Sequence, residues 1–230
     1  MPPPKFDWIT LDCYGTLIDW ERGISDAFAA EAARDGRTID RKSLLEAYHA
    51  IEPAVEAKSY RRYRDVLRVT AERVAAHFGW TIPQERAGFL AESLPSWPPF
   101  PDTNPALARL AAAGVKLGIL SNVDDDLLAG TRRHLRVEFD LIVTAQEVGS
   151  YKPGHGHFTT ARARVPEGAR WLHAAQSYFH DVVPCEALGI AVAWINRRGE
   201  RPGSAGAPDH EFSDLDGLAD WVLARNETRE

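Results

Sequence analysis

Cysteine is scarce: Cys13 and Cys185 are the only two in 230 residues. No disulfide framework is therefore indicated, and in a reducing compartment both are expected to stay thiols. A basic block is also missing. Acidic residues outnumber basic ones 33 to 27, for a net charge of −6, so the chain offers no electrostatic footprint for nucleic acid and little for a membrane surface. The seven tryptophans have no stacking pattern of the kind that holds single strands. No apolar run approaches the length of a transmembrane helix, and Met1-Pro2-Pro3-Pro4-Lys5 lacks the apolar segment of a signal peptide; the expected location is cytoplasmic. Repeats and disorder-prone tracts are absent too. What is present is an apolar fraction of 44%, enough over this length to bury a full core as one large domain or one domain carrying an insertion.

The organising stretch is Phe6 to Leu17. Aromatic and β-branched residues from Phe6 to Leu11 predict a buried strand that delivers Asp12 to its C-terminal edge, where Gly15 permits a sharp turn. In open parallel sheets that edge binds ligands, and free N–H groups of the turn can hold an anion there. Cys13 follows directly, but no obvious His partner lies nearby in sequence to make it a thiol nucleophile.

Beyond Leu17 the pattern turns helical. Ile24 to Ala33 is periodic and stops near Asp35-Gly36. Asp40 caps a second helix that meets Pro53; a third runs through Val66, Leu67, Thr70, Val74 and Phe78 to Gly79, and a fourth begins near Pro83. No convincing strand lies between Asp19 and Ser93. Prolines in Ser96 to Asp102 mark a stiff return linker. From there helices and strands alternate: helix 105–113, strand 115–120, helix 124–135, strand 139–144, a helix through Phe158 and Ala163, strand 170–175, a helix starting at Asp181 with Pro184 in its first turn, and a final clear strand 190–195. The Gly- and Pro-rich segment 196–209 reads as a mobile loop before a closing helix at 215–223. The expected fold is α/β, a Rossmann-like parallel sheet with helices on both faces and an inserted all-helical cap domain. The core would comprise 1–18 and 99–230, the cap 19–98.

Parallel strands bring their polar ends to one edge: Asp12, Ser121 with Asn122, Lys152, and Gln176 through Asp181. Singly, each has a plain explanation as a turn former, a solvated lysine or an N-cap; as an ordered set they form a candidate site. Other motif-like features weigh less. His155-Gly156-His157 lacks a carboxylate or cysteine nearby and reads as a loop and helix start, and Asp124-Asp125-Asp126 sits where acidic residues favour a helix beginning.

Asp12-x-Tyr14-Gly15-Thr16-Leu17, Leu120-Ser121-Asn122, Tyr151-Lys152-Pro153 and the segment to Asp181 resemble the four motifs of the haloacid dehalogenase-like superfamily. The helical insertion is similar to its cap, and Trp194-Ile195-Asn196-Arg197 resembles the L-2-haloacid dehalogenase (type II) branch. The resemblance implies that Asp12 attacks the carbon bearing a halogen and forms an ester. It also implies that Lys152 supports Asp12, that Asp181 activates water, and that Ser121 with the N–H groups of Cys13 and Tyr14 cradles the substrate carboxylate. Asn122 would meet the departing halide, and Gln176 and Ser177 would line the substrate.

Two positions bear on the chemistry. Phosphatases of the superfamily place an acid at Tyr14 and a magnesium ligand at Gln176; a phenol and a neutral amide there favour metal-free displacement at carbon, with no cofactor, over a magnesium-dependent phosphatase. A non-catalytic small-anion binding protein is a third reading. The cap arginine of the dehalogenases aligns with His49, with Arg61, Arg62 and Arg64 as other candidate cations, so the leaving group stays open. The expected partner is a small anionic substrate, with neither nucleic acid nor membrane, and a homodimer is left open.

Overall fold

The structure, a computed structural model, describes residues 3–57 and 59–224; Met1, Pro2 and 225–230, which the expected boundaries include, lie outside it. Strand β1 is Trp8–Leu11, and four helices follow: α1 (Trp20–Ala33), α2 (Arg41–Glu56), α3 (Tyr63–His77) and α4 (Phe89–Ser93). The remainder alternates as expected: α5 (Thr103–Ala112), β2 (Lys116–Ser121), α6 (Asp125–Thr131), β3 (Leu141–Thr144), α7 (Ala145–Val148), α8 (Gly156–Arg164), β4 (Trp171–Ala175), α9 (Val183–Ala187), β5 (Ala191–Ile195), β6 (His210–Phe212) and α10 (Leu215–Leu223).

The six strands form one parallel sheet in the order β3-β2-β1-β4-β5-β6. The order reverses at β1, whose Leu11 pairs with Ile119 on one side and Ala174 on the other. A crevice at such a reversal is where α/β sheets bind ligands, and Asp12 is the first residue beyond β1. Both faces are covered. One packs Ile9, Leu11 and Ile119 with Leu107, Leu110, Leu218 and Val222 of α5 and α10. The other packs Leu120, Val143, Val192 and Trp194 with Phe158 and Cys185. The first cluster runs on into the helical insertion through Phe28, Leu44, Leu67 and Leu90. Truncating a fully buried side chain such as Phe28 to alanine costs about 3–5 kcal/mol.

The chain leaves and re-enters the sheet layer side by side. Asp19 N–H donates to the Pro98 carbonyl at 2.9 Å and Phe100 N–H to that of Leu17 at 3.0 Å. Asp19 then caps α1 by accepting from Arg22 N–H. Gly23 is needed where α1 crosses Trp97, because a Cβ there would stand 2.2 Å from the indole.

The structure corrects the expected elements in four places. Helix α2 does not stop at Pro53 but continues to Glu56. Proline deletes one N–H, yet the last turn is held by burial of Val55 and by the bond from Ala57 N–H to the Pro53 carbonyl. Asp181 does not start a helix: it lies inside a π-helical turn, Tyr178–Val182, capped by Ser177, and Pro184 sits at the start of α9. Ile190 to Ile195 is not the last strand, since β6 pairs Ala193 with His210. The segment before β6 is also tied down, by Tyr178 Oη–H to Gly206, by Val192 N–H to the Asp209 carboxylate and by Asn196 bracketing Glu200.

Candidate active site

Lys152 enters from the loop between α7 and α8 and is 2% exposed. Its ammonium donates to Asp12 Oδ1 at 2.9 Å, Asp181 Oδ1 at 2.7 Å and the Leu120 carbonyl at 2.9 Å. Burial alone would drive the proton off this amine, but the charges of Asp12 and Asp181 overcome that and push its pKa up. Burial would likewise raise Asp181, yet Lys152 and a hydrogen bond from His173 hold its carboxyl well below the usual range.

Each carboxylate has further support. Thr16 donates its hydroxyl proton to Asp12 Oδ2 at 2.9 Å while accepting from Gln176 N–H at 2.9 Å. That links the turn after β1 to the end of β4. Gly15 sits between them at φ +97°, and a Cβ there would stand 3.0 Å from Gln176 Oε1, so the turn excludes any side chain. Beneath Asp181, Trp171 donates to Thr10 Oγ and the Thr10 hydroxyl faces His173 Nδ1 at 2.9 Å, leaving His173 Nε2–H for Asp181 Oδ1, also at 2.9 Å. Asp181 Oδ2 is buried with no hydrogen-bond partner among the described residues.

Above these groups lies a cavity of about 260 Å³ roofed by α2, lined by Asp12, Tyr14, Ser121, Asn122, Lys152 and Asp181 among others. Ser121 Oγ is fully buried and unpartnered among the described residues, and the N–H groups of Cys13 and Tyr14 have no partner there either. Ser121 Oγ thus lines the cavity with Asp12 while holding no protein partner among the described residues. The Cys13 side chain itself turns away into the apolar core, where burial pushes its thiol well up, so it is no nucleophile. Tyr14 lines the cavity with its hydroxyl against Thr131 Oγ at 2.9 Å and its ionisation disfavoured by burial.

Asn122 accepts from Lys152 N–H at 2.7 Å and donates to the Lys152 carbonyl and to Glu56 Oε1, both at 3.1 Å. Both amide protons are thus engaged, and one must be released before Asn122 can meet a leaving group. Gln176 and Ser177 line the cavity; the Ser177 hydroxyl accepts from His180 N–H and faces His180 Nδ1 at 2.9 Å. His49 is at the cavity rim, edge-on to Trp20 and 3.8 Å from Glu21. Burial and then the Arg198 charge lower its pKa, which favours neutral imidazole. Arg61, Arg62 and Arg64 do not line the cavity; Arg64 is taken by Asp124 and Asp126. Asp124 also accepts from Tyr63 and Arg64 N–H and so caps α3 from the sheet layer. His157 donates to the Ser121 carbonyl at 3.1 Å, and burial lowers its pKa to about 4.

Three charged side chains that line the cavity, Arg198, Glu52 and Glu56, were not expected, nor was His173 beneath it. Arg198, from the segment after β5, pairs with Glu21 and lies over Trp20. His173 is a lone polar residue in an apolar strand, which was its signal. Glu52 and Glu56 follow Tyr48 at intervals of four on α2 and face the cavity; that spacing was legible in the sequence. Burial raises Glu52 to about 7, and burial with the neighbouring Glu52 charge raises Glu56 to about 8.

The residues do not fit a magnesium ion. Gln176 offers a neutral amide, and one oxygen of each floor carboxylate is committed to Lys152. Among the described residues no group of three or more His, Cys, Asp or Glu stands where it could hold a metal.

A family model for haloacid dehalogenase-like hydrolases matches residues 6–201, and the chain belongs to that family. It is 26% identical over 221 residues to (S)-2-haloacid dehalogenase H-109 of Pseudomonas putida, covering 94% of this chain and 97% of that one. Among solved structures it is similar to L-2-haloacid dehalogenase from Xanthobacter autotrophicus with chloropropionic acid covalently bound (TM-score 0.82, 19% identity, 95% of this chain and 100% of that one). It is also similar to YfnB from Bacillus subtilis bound to magnesium (TM-score 0.81, 15% identity, 96% and 100%). The fold is therefore shared by chains with different ligands, and the choice of chemistry falls to the side chains.

Proposed function

We propose that this hydrolase displaces halide from a small 2-haloalkanoic acid through a covalent ester on Asp12, giving a 2-hydroxy acid. The observation that carries the reading is the pair of side chains facing Asp12 across the cavity, Tyr14 and Gln176. The Tyr14 phenol is held against Thr131 with its ionisation disfavoured by burial, and Gln176 brings a neutral amide, so neither supplies the acid or the anionic metal ligand that a magnesium-dependent phosphatase needs. The substrate carboxylate would rest on Ser121 Oγ and the N–H groups of Cys13 and Tyr14. That sets the halogen-bearing carbon in front of Asp12, and confinement away from water makes the carboxylate a better nucleophile. An Asp12 oxygen forms the new C–O bond as the carbon–halogen bond breaks, and the halide leaves with the bonding pair. Water then adds to the ester carbonyl. Asp181 Oδ2, with its lone pairs unused, is placed to orient that water, and hydrolysis restores Asp12 and frees the hydroxy acid.

In this reading Asn122 and His49 shape the leaving-group side, Gln176 and Ser177 line the substrate, and residues 19–98 act as a cap over a core of 1–18 and 99–230. No cofactor takes part. The substrate is a small anion, the location cytoplasmic. The test is chloride release from 2-chloropropionate and phosphate release from p-nitrophenyl phosphate, each with and without a chelator. Chloride release insensitive to chelator supports the reading; chelator-sensitive phosphate release without chloride release would replace it with the magnesium phosphatase.

A further inference from the structure

A simple 2-haloacid accounts for the floor of the cavity but not for its roof. On α2, Tyr48, Glu52 and Glu56 form one stripe facing the cavity. Once ionised, two carboxylates placed there repel a substrate that is only an anion. Their protein contacts are few. Glu52 Oε1 takes a long bond from the Tyr63 hydroxyl at 3.4 Å, and Glu56 takes one from Asn122 with His180 Nε2 at 3.9 Å. Among the described residues no lysine or arginine pairs with either. The nearby cations are engaged elsewhere, Lys152 with Asp12 and Asp181 and Arg198 with Glu21. Burial keeps His180 toward its neutral form. A second feature marks the same wall: the Tyr48 hydroxyl, on a side chain 2% exposed, has no hydrogen-bond partner among the described residues. Trp20, Tyr48, Tyr63 and Trp97 complete the lining, and aromatic faces attract cations as carboxylates do.

Resting on the function proposed above, we infer that the cap end of this cavity binds a positively charged nitrogen, and that the preferred substrates are 2-halo acids bearing an amine. The carboxylate sits in the Ser121 cradle and the ammonium against Glu52, Glu56 and the aromatic wall. A cavity of about 260 Å³ holds an acid of a few carbons with both charged ends. The amine supplies a countercharge that no described lysine or arginine supplies, so binding replaces two poorly compensated carboxylates with a paired set.

The test is titration calorimetry of the whole chain with two isosteric pairs, 3-aminopropanoate against butanoate and 4-aminobutanoate against pentanoate, in which an ammonium replaces a methyl. The wild-type chain is expected to bind the better amino acid about tenfold or more tightly than its alkanoate. In Glu52→Gln/Glu56→Gln, with folding checked by thermal unfolding, the order should reverse. Equal or weaker binding of both amino acids by the wild type overturns the inference, as does a preference that survives in the double variant. Should the double variant not fold, Glu52→Gln alone must cut the preference at least threefold or the inference fails. Chloride release from 2-chloropropionate is read separately, so an enzyme that dechlorinates yet prefers butanoate retains its proposed function and loses only the amine site.

Discussion

The floor of the cavity carries a pair of buried carboxylates and the roof a half-buried pair, and the pairs behave in opposite ways. On the floor, Asp12 and Asp181 share the Lys152 ammonium, and Asp181 is held well below the ordinary carboxylate range. On the roof, Glu52 and Glu56 face the same space with no such cation among the described residues and are raised to about 7 and about 8. Burial acts upward on Asp181 as on the roof pair; what differs is a fixed ammonium within 3 Å. Under the proposed function, the floor suits a carboxylate that must stay ionised to act as a nucleophile, and the roof suits groups that take their countercharge from a ligand.

The comparison breaks most severely at Asp12. Asp12→Asn keeps the shape and Lys152 still has Asp181, so the fold should survive while chloride release falls by about 10⁴-fold or more, as for removal of a nucleophile elsewhere. Steady-state rates with matched circular dichroism check this, and residual activity within about 100-fold of wild type rejects Asp12 as the nucleophile. Next is Lys152→Met, which strands two buried carboxylates. Unpairing a buried charge costs about 3–5 kcal/mol, so the urea midpoint should drop sharply and turnover disappear; an unchanged midpoint would mean that the floor does not depend on its cation.

The roof is probed by pH. Glu52 and Glu56 give up protons near 4.5 when the chain is unfolded but only near 7 and 8 when folded. Between those values the folded chain binds more protons, so their contribution to stability falls as pH rises from about 4.5 to about 8 and is flat above. Glu52→Gln/Glu56→Gln lacks this slope. Its melting temperature relative to wild type should therefore climb steadily over that window, and a difference independent of pH would contradict the raised values. The smallest effect is expected at His49. A neutral, rim-exposed imidazole contributes like an ordinary hydrogen bond, about 0.5–1.5 kcal/mol, so His49→Ala should lower chloride release by roughly tenfold at most. A loss of 10³-fold would instead make His49 the leaving-group donor.

The floor was legible because parallel strands end on one edge, so Asp12, Ser121, Lys152 and Asp181 could be brought together from sequence order alone. The roof was legible only in part. Tyr48, Glu52 and Glu56 stand at a visible spacing of four, but α2 reads as an apolar stripe that should stop at Pro53, and its last turn rests on burial of Val55 and the bond from Ala57 N–H to the Pro53 carbonyl. Strand β6 is three residues long behind a Gly- and Pro-rich segment, too short for alternation to register. Arg198 reaches the cavity because Arg197 beside it is anchored to Asp102 and the Thr16 carbonyl, a tertiary cause with no local pattern. His173 was visible as a polar residue inside an apolar strand, but its partner Asp181 had been placed at a helix start rather than in a π-helical turn above it.

The central claim is that Asp12 becomes covalently attached to the substrate, and a single turnover of 2-chloropropionate in heavy-oxygen water tests it most directly. Enzyme is held in excess and halide release is followed so that one turnover is certain. Water attacking the ester carbonyl leaves its oxygen on the protein, so mass spectrometry should find the label in a peptide containing Asp12 and an unlabelled hydroxy acid. Label in the product with none in that peptide would mean that water attacked the substrate itself, and would contradict the covalent mechanism.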